Sequence, residues 1–434
     1  MKKIFNHLNN TYYYKFLLFM GLFSALSVGL FFLDLSLQNS HLSEILHFSQ
    51  NFLEDFLIMM IAAIITMVTI TFSTIMVVLT LYSGQFSPRT LNDFLQRKVP
   101  LNILGYFIGV TIYALIGLVI SENNPDLIYA GLTLFALFFF IFSIILFAYY
   151  IHYVAKSVQI NVYIDQMVKE AVNKIEDNQK TIEEDPLIQL ERNDEVEEKT
   201  FEHTYKTKRT GYLIDINKKK LLSYLKENNL SISVNIPLNE HIYEDDVLFN
   251  YQGKASFDFD ENIIKESFVI SQEIGGFSAY KEKTMKLVEI AVRALSPGTN
   301  DPFTAVTCIE QLGFVFKKLS DTYYSLYYHD DTGVERLMIR SLNYDDLLYD
   351  HFYQIYLYGK KDLTIIANIL KAFSRIASDS NHDMRISLWQ FAKYILKEYD
   401  LSSFHTLDFR EVHIPLRDLA IQCGQKDAYK SLIE

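Results

Sequence analysis

Polar positions almost vanish from four runs in the first third of the chain, residues 16–33, 56–82, 101–120 and 127–155. The second, FLIMMIAAIITMVTITFSTIMVVLTLY, passes 27 positions without a charge. A helix of about 20 apolar residues covers the hydrocarbon of a bilayer, so each run predicts a transmembrane helix, the longest with room to tilt. His152, near the end of the last run, is the only Asp, Glu, Lys, Arg or His within the four. No small-residue cleavage site follows the first run, which predicts an uncleaved helix rather than a signal peptide.

The pattern changes after residue 156. Val158, Val162, Val168, Val172 and Ile175 fall on one side of a helical projection and predict an amphipathic stalk. Residues 177–203 are acidic and poor in core formers, which reads as a linker or a partly disordered insert. Period-two stretches at 211–216, 230–236 and 247–251 predict short strands, with Asn217 capping a helix that runs to Leu225. From residue 271 the spacing becomes helical again, at 281–295, 351–358, 363–376, 388–396 and 414–423. The expected fold is therefore an α-helical membrane protein. Four transmembrane helices (1–155) lead through a stalk and acidic linker (156–203) into a cytoplasmic α+β region, made of a small β-rich module (204–270) and a helical bundle (271–434).

Charge orients the spans. Lys2, Lys3 and Lys15 precede the first span, Arg89, Arg97 and Lys98 lie between the second and third, and Lys156 follows the fourth. The two intervening loops hold Asp34, Glu44, Glu54 and Asp55, then Glu122 and Asp126, and no cation. The positive-inside rule thus predicts a multi-pass protein of the cell membrane with both termini in the cytoplasm. Of 40 basic and 52 acidic residues, six and seven lie in 1–155, leaving 34 and 45 beyond, a net −11. Such a balance argues against nucleic acid as a partner, since phosphate needs a basic face. Cys308 and Cys423 are expected to be reduced and structural.

Within the spans, Gly21, Ala25 and Gly29 recur every four residues, as do Gly105 and Gly109, and both sets predict helix packing. The fourth span is rich in Phe, a surface suited to lipid, and Tyr149, Tyr150 and Tyr153 predict an aromatic belt. In the second span Thr66, Thr69, Ser73 and Thr80 lie close to one face. That stripe can line a polar path in an oligomer, or the hydroxyls can bond back to carbonyls a turn earlier and simply permit packing. Following it, Gln85, Ser87 and Arg89 read either as the inner mouth of such a path or as a helix start with a headgroup anchor. The absence of Asp, Glu, Lys and Arg at mid-membrane depth disfavours an ion-coupled transporter.

One later segment stands apart, AVRALSPGTNDPFTAVT at 291–307. Pro297 and Gly298 can end one helix, and Asn300 or Asp301 can cap the next with Pro302 in its first turn. Alternatively Arg293, Asn300 and Asp301 converge as a contact for a ligand or neighbouring subunit. ALSPGTNDPFTA, together with SGQFSPRTLNDFL after the second span and TGYLIDINKKKLL in the β module, resembles a family of uncharacterised bacterial membrane proteins, domain-of-unknown-function family 2254. The likeness covers nearly the whole chain. It implies four spans in a bacterial inner membrane and a large cytoplasmic domain, and brings no reaction, substrate or cofactor with it.

Phosphate-gripping glycine loops, GxSxG and HExxH are missing, and neither His329-Asp330-Asp331 nor His382-Asp383 has the spacing of a metal site. His329-Asp330-Asp331 reads as a solvated turn. No catalytic residue, metal or cofactor is expected. The leading expectation is a non-enzymatic homo-oligomer in the lipid bilayer, a channel-like conduit lined by the second span and assembled or gated by the cytoplasmic domain. The alternative is a membrane-anchored regulatory or scaffold protein that binds a cytoplasmic partner or small ligand near Asp301. A third is an enzyme acting at the membrane surface.

Overall fold

A computed structural model describes residues 13–37, 48–81, 98–125, 127–184, 188–191, 201–238, 240–254, 256–272, 279–320, 325–339, 344–399 and 405–433. The chain divides into two compact units, Met1–Tyr163 and Ile164–Glu434.

Among the described residues the first unit holds four helices, α1 (Tyr13–Leu37), α2 (Gln50–Leu81), α3 (Lys98–Asn123) and α4 (Ala130–Ser157). All four are long and apolar enough to cross a membrane, as the hydrophobic runs predict. α3 is the hub, packing along both α1 and α2, which share no comparable contact among the described residues. Two glycines allow the α1 approach: a Cβ on Gly105 would lie 2.8 Å from the ring of Phe19, and one on Gly109 2.6 Å from that of Phe23. The α1 glycines behave differently, since Gly21 and Gly29 face open space. Phe23 meets Tyr106 and Phe139 edge-on, with centroids 5.6 and 5.1 Å away, and Tyr113 meets Phe139 at 5.2 Å. So although Phe135, Phe138 and Phe142 of α4 are exposed, Phe139 belongs to the core.

Hydrocarbon offers no water to unpaired polar groups, so most polar side chains buried here bond among the helices, the Thr71 hydroxyl being an exception among the described residues. Asp34, buried at the end of α1, accepts from the first free amides of α4, Gly131 N at 2.6 Å and Leu132 N at 3.0 Å. A carboxylate against a helix N-terminus satisfies both the orphan donors and the positive end of the dipole. The Tyr113 hydroxyl donates to Leu132 O at 2.8 Å, and that of Tyr150 to Thr71 O at 2.9 Å. Tyr150 is therefore a buried clamp between α4 and α2 and not part of an exposed belt.

The second unit holds most of α5 (Ile160–Glu183), with Ile164, Met167, Val168, Ala171 and Ile175 along its buried side. Among the described residues nine strands follow between helices: β1 (Ile188–Glu191), β2 (His203–Lys206), β3 (Gly211–Ile216), α6 (Lys218–Glu227), β4 (Ser231–Val234), β5 (His241–Ile242), β6 (Val247–Gln252), α7 (Glu261–Ser267), β7 (Phe268–Ser271), α8 (Ala279–Ala294), α9 (Pro302–Ser320), β8 (Ser325–His329) and β9 (Glu335–Ile339). They form a six-stranded sheet in the order β1-β8-β9-β4-β6-β2, antiparallel except for β4 on β9, and a three-stranded sheet β5-β3-β7. β1 arises within the acidic stretch read as linker, and the β8–β9 hairpin within the stretch read as helical. The larger sheet thus gathers three separate parts of the chain. Leu225, Ile232, Val234, Phe249, Phe268, Tyr328 and Leu337 fill the core between these elements.

The remaining helices are α10 (Tyr344–Leu348), which passes through a π-helical turn (Tyr349–Tyr353) into α11 (Gln354–Gly359), then α12 (Leu363–Ala377), α13 (His382–Leu396), α14 (Thr406–Gln422) and α15 (Lys426–Ile433). α9 packs on α8 and α12, and α12 on α14. Gly313 lets α9 close on α12, its missing Cβ lying 3.0 Å from that of Ala372.

Candidate functional site

The fully buried residues of α2 are apolar except for Thr71: Leu53, Phe56, Leu57, Met60, Ile64 and Val78 are buried with it. Thr66, Thr69, Ser73 and Thr80 all lie on the exposed side, with Ala62 among them. The four residues share a face and none is consumed in packing the four helices. Each threonine hydroxyl donates to the carbonyl four residues earlier, Thr66 to Ala62 at 2.9 Å, Thr69 to Ile65 at 2.9 Å and Thr80 to Met76 at 3.0 Å. With the proton committed to the backbone, each oxygen turns its remaining lone pairs outward as an acceptor. On α1, Gly21, Ala25 and Gly29 make a second exposed strip, this one of small residues. Gln85, Ser87 and Arg89 lie outside the described residues.

The α8–α9 turn is built by backbone chemistry. Asp301 N donates back to Ala294 O at 2.8 Å, and Thr299 N and Asn300 N both reach Ser296 O, at 3.0 and 2.9 Å. Asn300 holds a positive φ of 49°, a conformation that asparagine tolerates better than most residues. The Asp301 carboxylate then caps α9, accepting from Thr304 N at 3.2 Å and from the Thr304 hydroxyl at 2.6 Å, with Pro302 as the first helical residue. Capping thus engages both oxygens of Asp301. Arg293 and Asn300 are exposed, and beside them Phe303 is 81% exposed, an unusual setting for an aromatic ring. Burial, with the Asp301 charge second, pushes the Cys308 thiol up and keeps it protonated.

Two polar side chains of the second unit, His351 and Asp330, are buried. His351 is wholly enclosed in the π-helical turn, with Nδ1 2.8 Å from Leu347 O and Nε2 2.9 Å from the Thr284 hydroxyl. The neutral tautomer that donates from Nδ1 satisfies both contacts, and burial lowers its pKa to about 4. Asp330, in the segment read as a solvated turn, has a side chain only 2% exposed. Its Oδ1 accepts from Thr332 N, the Thr332 hydroxyl and Val334 N, and its Oδ2 from Arg336. Nothing in a His-Asp-Asp string signals this, because the partners come from the hairpin that the turn creates.

No curated protein and no solved structure matches this chain. A family model described as "Predicted membrane protein (DUF2254)" matches residues 9–375. Four apolar helices, the mixed helix-and-sheet region that follows and this match over most of the length agree: the chain belongs to that membrane-protein family of unknown function.

Proposed function

We propose that the protein is a non-enzymatic homo-oligomer of the cell membrane, with both termini in the cytoplasm, whose subunits surround a polar path lined by the outward face of α2. The observation that carries this reading is the exposed row of Thr66, Thr69, Ser73 and Thr80. Among the described residues it faces away from the helices that pack on α2, and in a ring it meets its own copies or water. The strip of Gly21, Ala25 and Gly29 supplies a second surface where a helix backbone can approach closely. Two distinct surfaces suit a closed ring, in which each subunit meets its neighbours heterologously. The cytoplasmic region assembles or gates the ring.

The test uses single cysteines in a Cys308→Ser, Cys423→Ser background. Thr69→Cys and Ser73→Cys should cross-link between subunits in native membranes, whereas Ile145→Cys on exposed α4 should not. Reconstituted protein should conduct, and Thr66→Leu or Ser73→Leu should change the current. Purified oligomers that never conduct, or cross-linking no better at Ser73 than at Ile145, would sink it.

Phe303 favours a second reading, in which the cytoplasmic region is a scaffold and this ring, beside the Asp301 turn, enters a protein partner. Loss of a captured partner on Phe303→Ser, with Tm unchanged, is its signature.

A further inference from the structure

The second unit contains a cleft of about 410 Å³ that the conduit reading leaves unused. Its apolar wall includes Leu248 and Phe268, and its polar lining includes Lys208, Arg209, Lys265 and Glu261. Three cations against one carboxylate give that lining a net +2, in a chain whose formal charge is −12. The sign is locally reversed, which is how a site selects an anion against the field of its own protein.

The three cations are presented differently. Arg209 donates through Nη1 and Nη2 to the carbonyls of Phe268 and Ile270, at 3.3 and 2.9 Å, on the β7 side of the smaller sheet. Those bonds fix the guanidinium and use two of its five N–H donors. Its own backbone N–H is tied to the Thr207 hydroxyl at 3.1 Å, so the turn carrying it is fixed as well. Lys208 pairs with Glu261, yet the two side chains are 67% and 62% exposed. An ion pair that open to water contributes little, so a stronger anion can take the place of Glu261. Lys265 stands one turn along α7 from Glu261 with no ion-pair partner among the described residues. A preset fork, a lysine held by a displaceable internal carboxylate and an unpaired lysine converge beside an apolar wall.

We infer that this cleft binds a phosphate monoester with an apolar body. A phosphate monoester carries about −1.5 to −2 charge at neutral pH, which matches the lining, whereas a carboxylate carries half of it. Fork-like arginine donors and lysine point charges are the usual means of holding phosphate oxygens. The volume falls in the range of roughly 300–1,000 Å³ typical of small-ligand sites.

Calorimetry on the full-length, detergent-solubilised protein tests this, with phenyl phosphate and benzoate as probes. Phenyl phosphate should bind saturably, and benzoate at least about tenfold more weakly. Lys265→Glu should weaken phenyl phosphate by roughly tenfold or more, while Glu261→Gln, which removes the internal competitor, should tighten it. Both positions are exposed, so neither change threatens the fold, and Arg209 is left intact for its hold on β7. The phosphate can come from a soluble metabolite or from the headgroup of phosphatidate. Nanodiscs with and without phosphatidate separate these, since a headgroup already in the cleft blocks phenyl phosphate in the first and not in the second. Absence of saturable binding in detergent, equal affinity for benzoate, or affinity unmoved by both substitutions overturns the assignment. None of these outcomes bears on whether α2 lines a conduit.

Discussion

Asp330 and Arg336 form an ion pair across the turn between β8 and β9, Oδ2 to Nε at 3.0 Å, with side chains only 2% and 12% exposed. The arginine does more than neutralise the acid. Its Nη1 donates to Asn229 Oδ1 at 3.0 Å and to Leu230 O at 3.4 Å, tying the hairpin to the end of α6, where β4 begins. Since β4 and β9 are neighbours in the larger sheet, this one side chain holds together two distant parts of the chain.

Asp330→Asn should lower Tm at pH 7, because it leaves Arg336 buried without its counter-charge. Hydrogen bonds from Thr332, Val334 and Arg336 hold the Asp330 carboxyl well below the usual carboxylate range. A depressed pKa contributes stability that is complete above the unfolded value, about 4, and is lost as pH falls further. The gap between wild type and variant should therefore narrow only below about pH 4. A constant gap from pH 7 to pH 3, read by scanning calorimetry, would show that the charge is irrelevant.

His351 makes the complementary prediction at milder pH. Its folded-state pKa, about 4, lies below the ordinary 6.5, so the unfolded chain binds the extra proton first. Stability should be fully present above about pH 6.5 and fall toward pH 4, by about 3 kcal/mol across that window. Asp350 and Lys281, the charges that act on it, oppose one another and pair at 3.1 Å, so burial dominates. His351→Phe should flatten the slope, leaving the Thr284 hydroxyl to its other acceptors, Tyr280 O and Lys281 O, each at 3.1 Å. A slope unchanged in the variant places the titrating group elsewhere.

Local and long-range signals separate cleanly in this chain. Runs of apolar residues predict the four spans because a bilayer constrains length and composition directly, whatever the rest of the chain does. Asn217 and Asp301 are legible as caps, since the amides they accept from, of Lys220 and Thr304, lie only three residues on. Asp34 is not legible, since its acceptor role depends on amides 97 and 98 positions away. β8 and β9 are hidden for a related reason. Tyr-rich sequence from 323 to 328 fits an aromatic helix or turn equally well, and only pairing of β9 with β4, about a hundred residues earlier, decides it. For the candidate site, the stripe on α2 follows from helical spacing, but which way it faces is set by how α3 packs.

Gly211 begins β3 at a φ of +149°, where a Cβ would stand 2.6 Å from the carbonyl oxygen of Ser271 on β7. Backbone cannot yield as a flexible side chain can. Gly211→Ala should destabilise the second unit by about 1–3 kcal/mol through strain and the broken β3–β7 pairing. The checking measurement is urea unfolding followed by the tryptophan signal of Trp389, the only tryptophan in the chain. A midpoint within error of wild type would mean that β7 can shift to make room.

Asp301→Ala separates capping from recognition. Removing an N-cap acid costs about 1 kcal/mol, here through the lost acceptor for Thr304 N and its hydroxyl. Asp301→Asn keeps a side-chain acceptor for the amide and should recover most of that stability. If Asp301 acts only as a cap, Tm should rank wild type, then Asn, then Ala, and capture of any protein partner should follow Phe303 instead. If both variants lose the partner while Asn keeps its stability, the carboxylate is itself a contact, and the turn is a recognition site as well as a helix start.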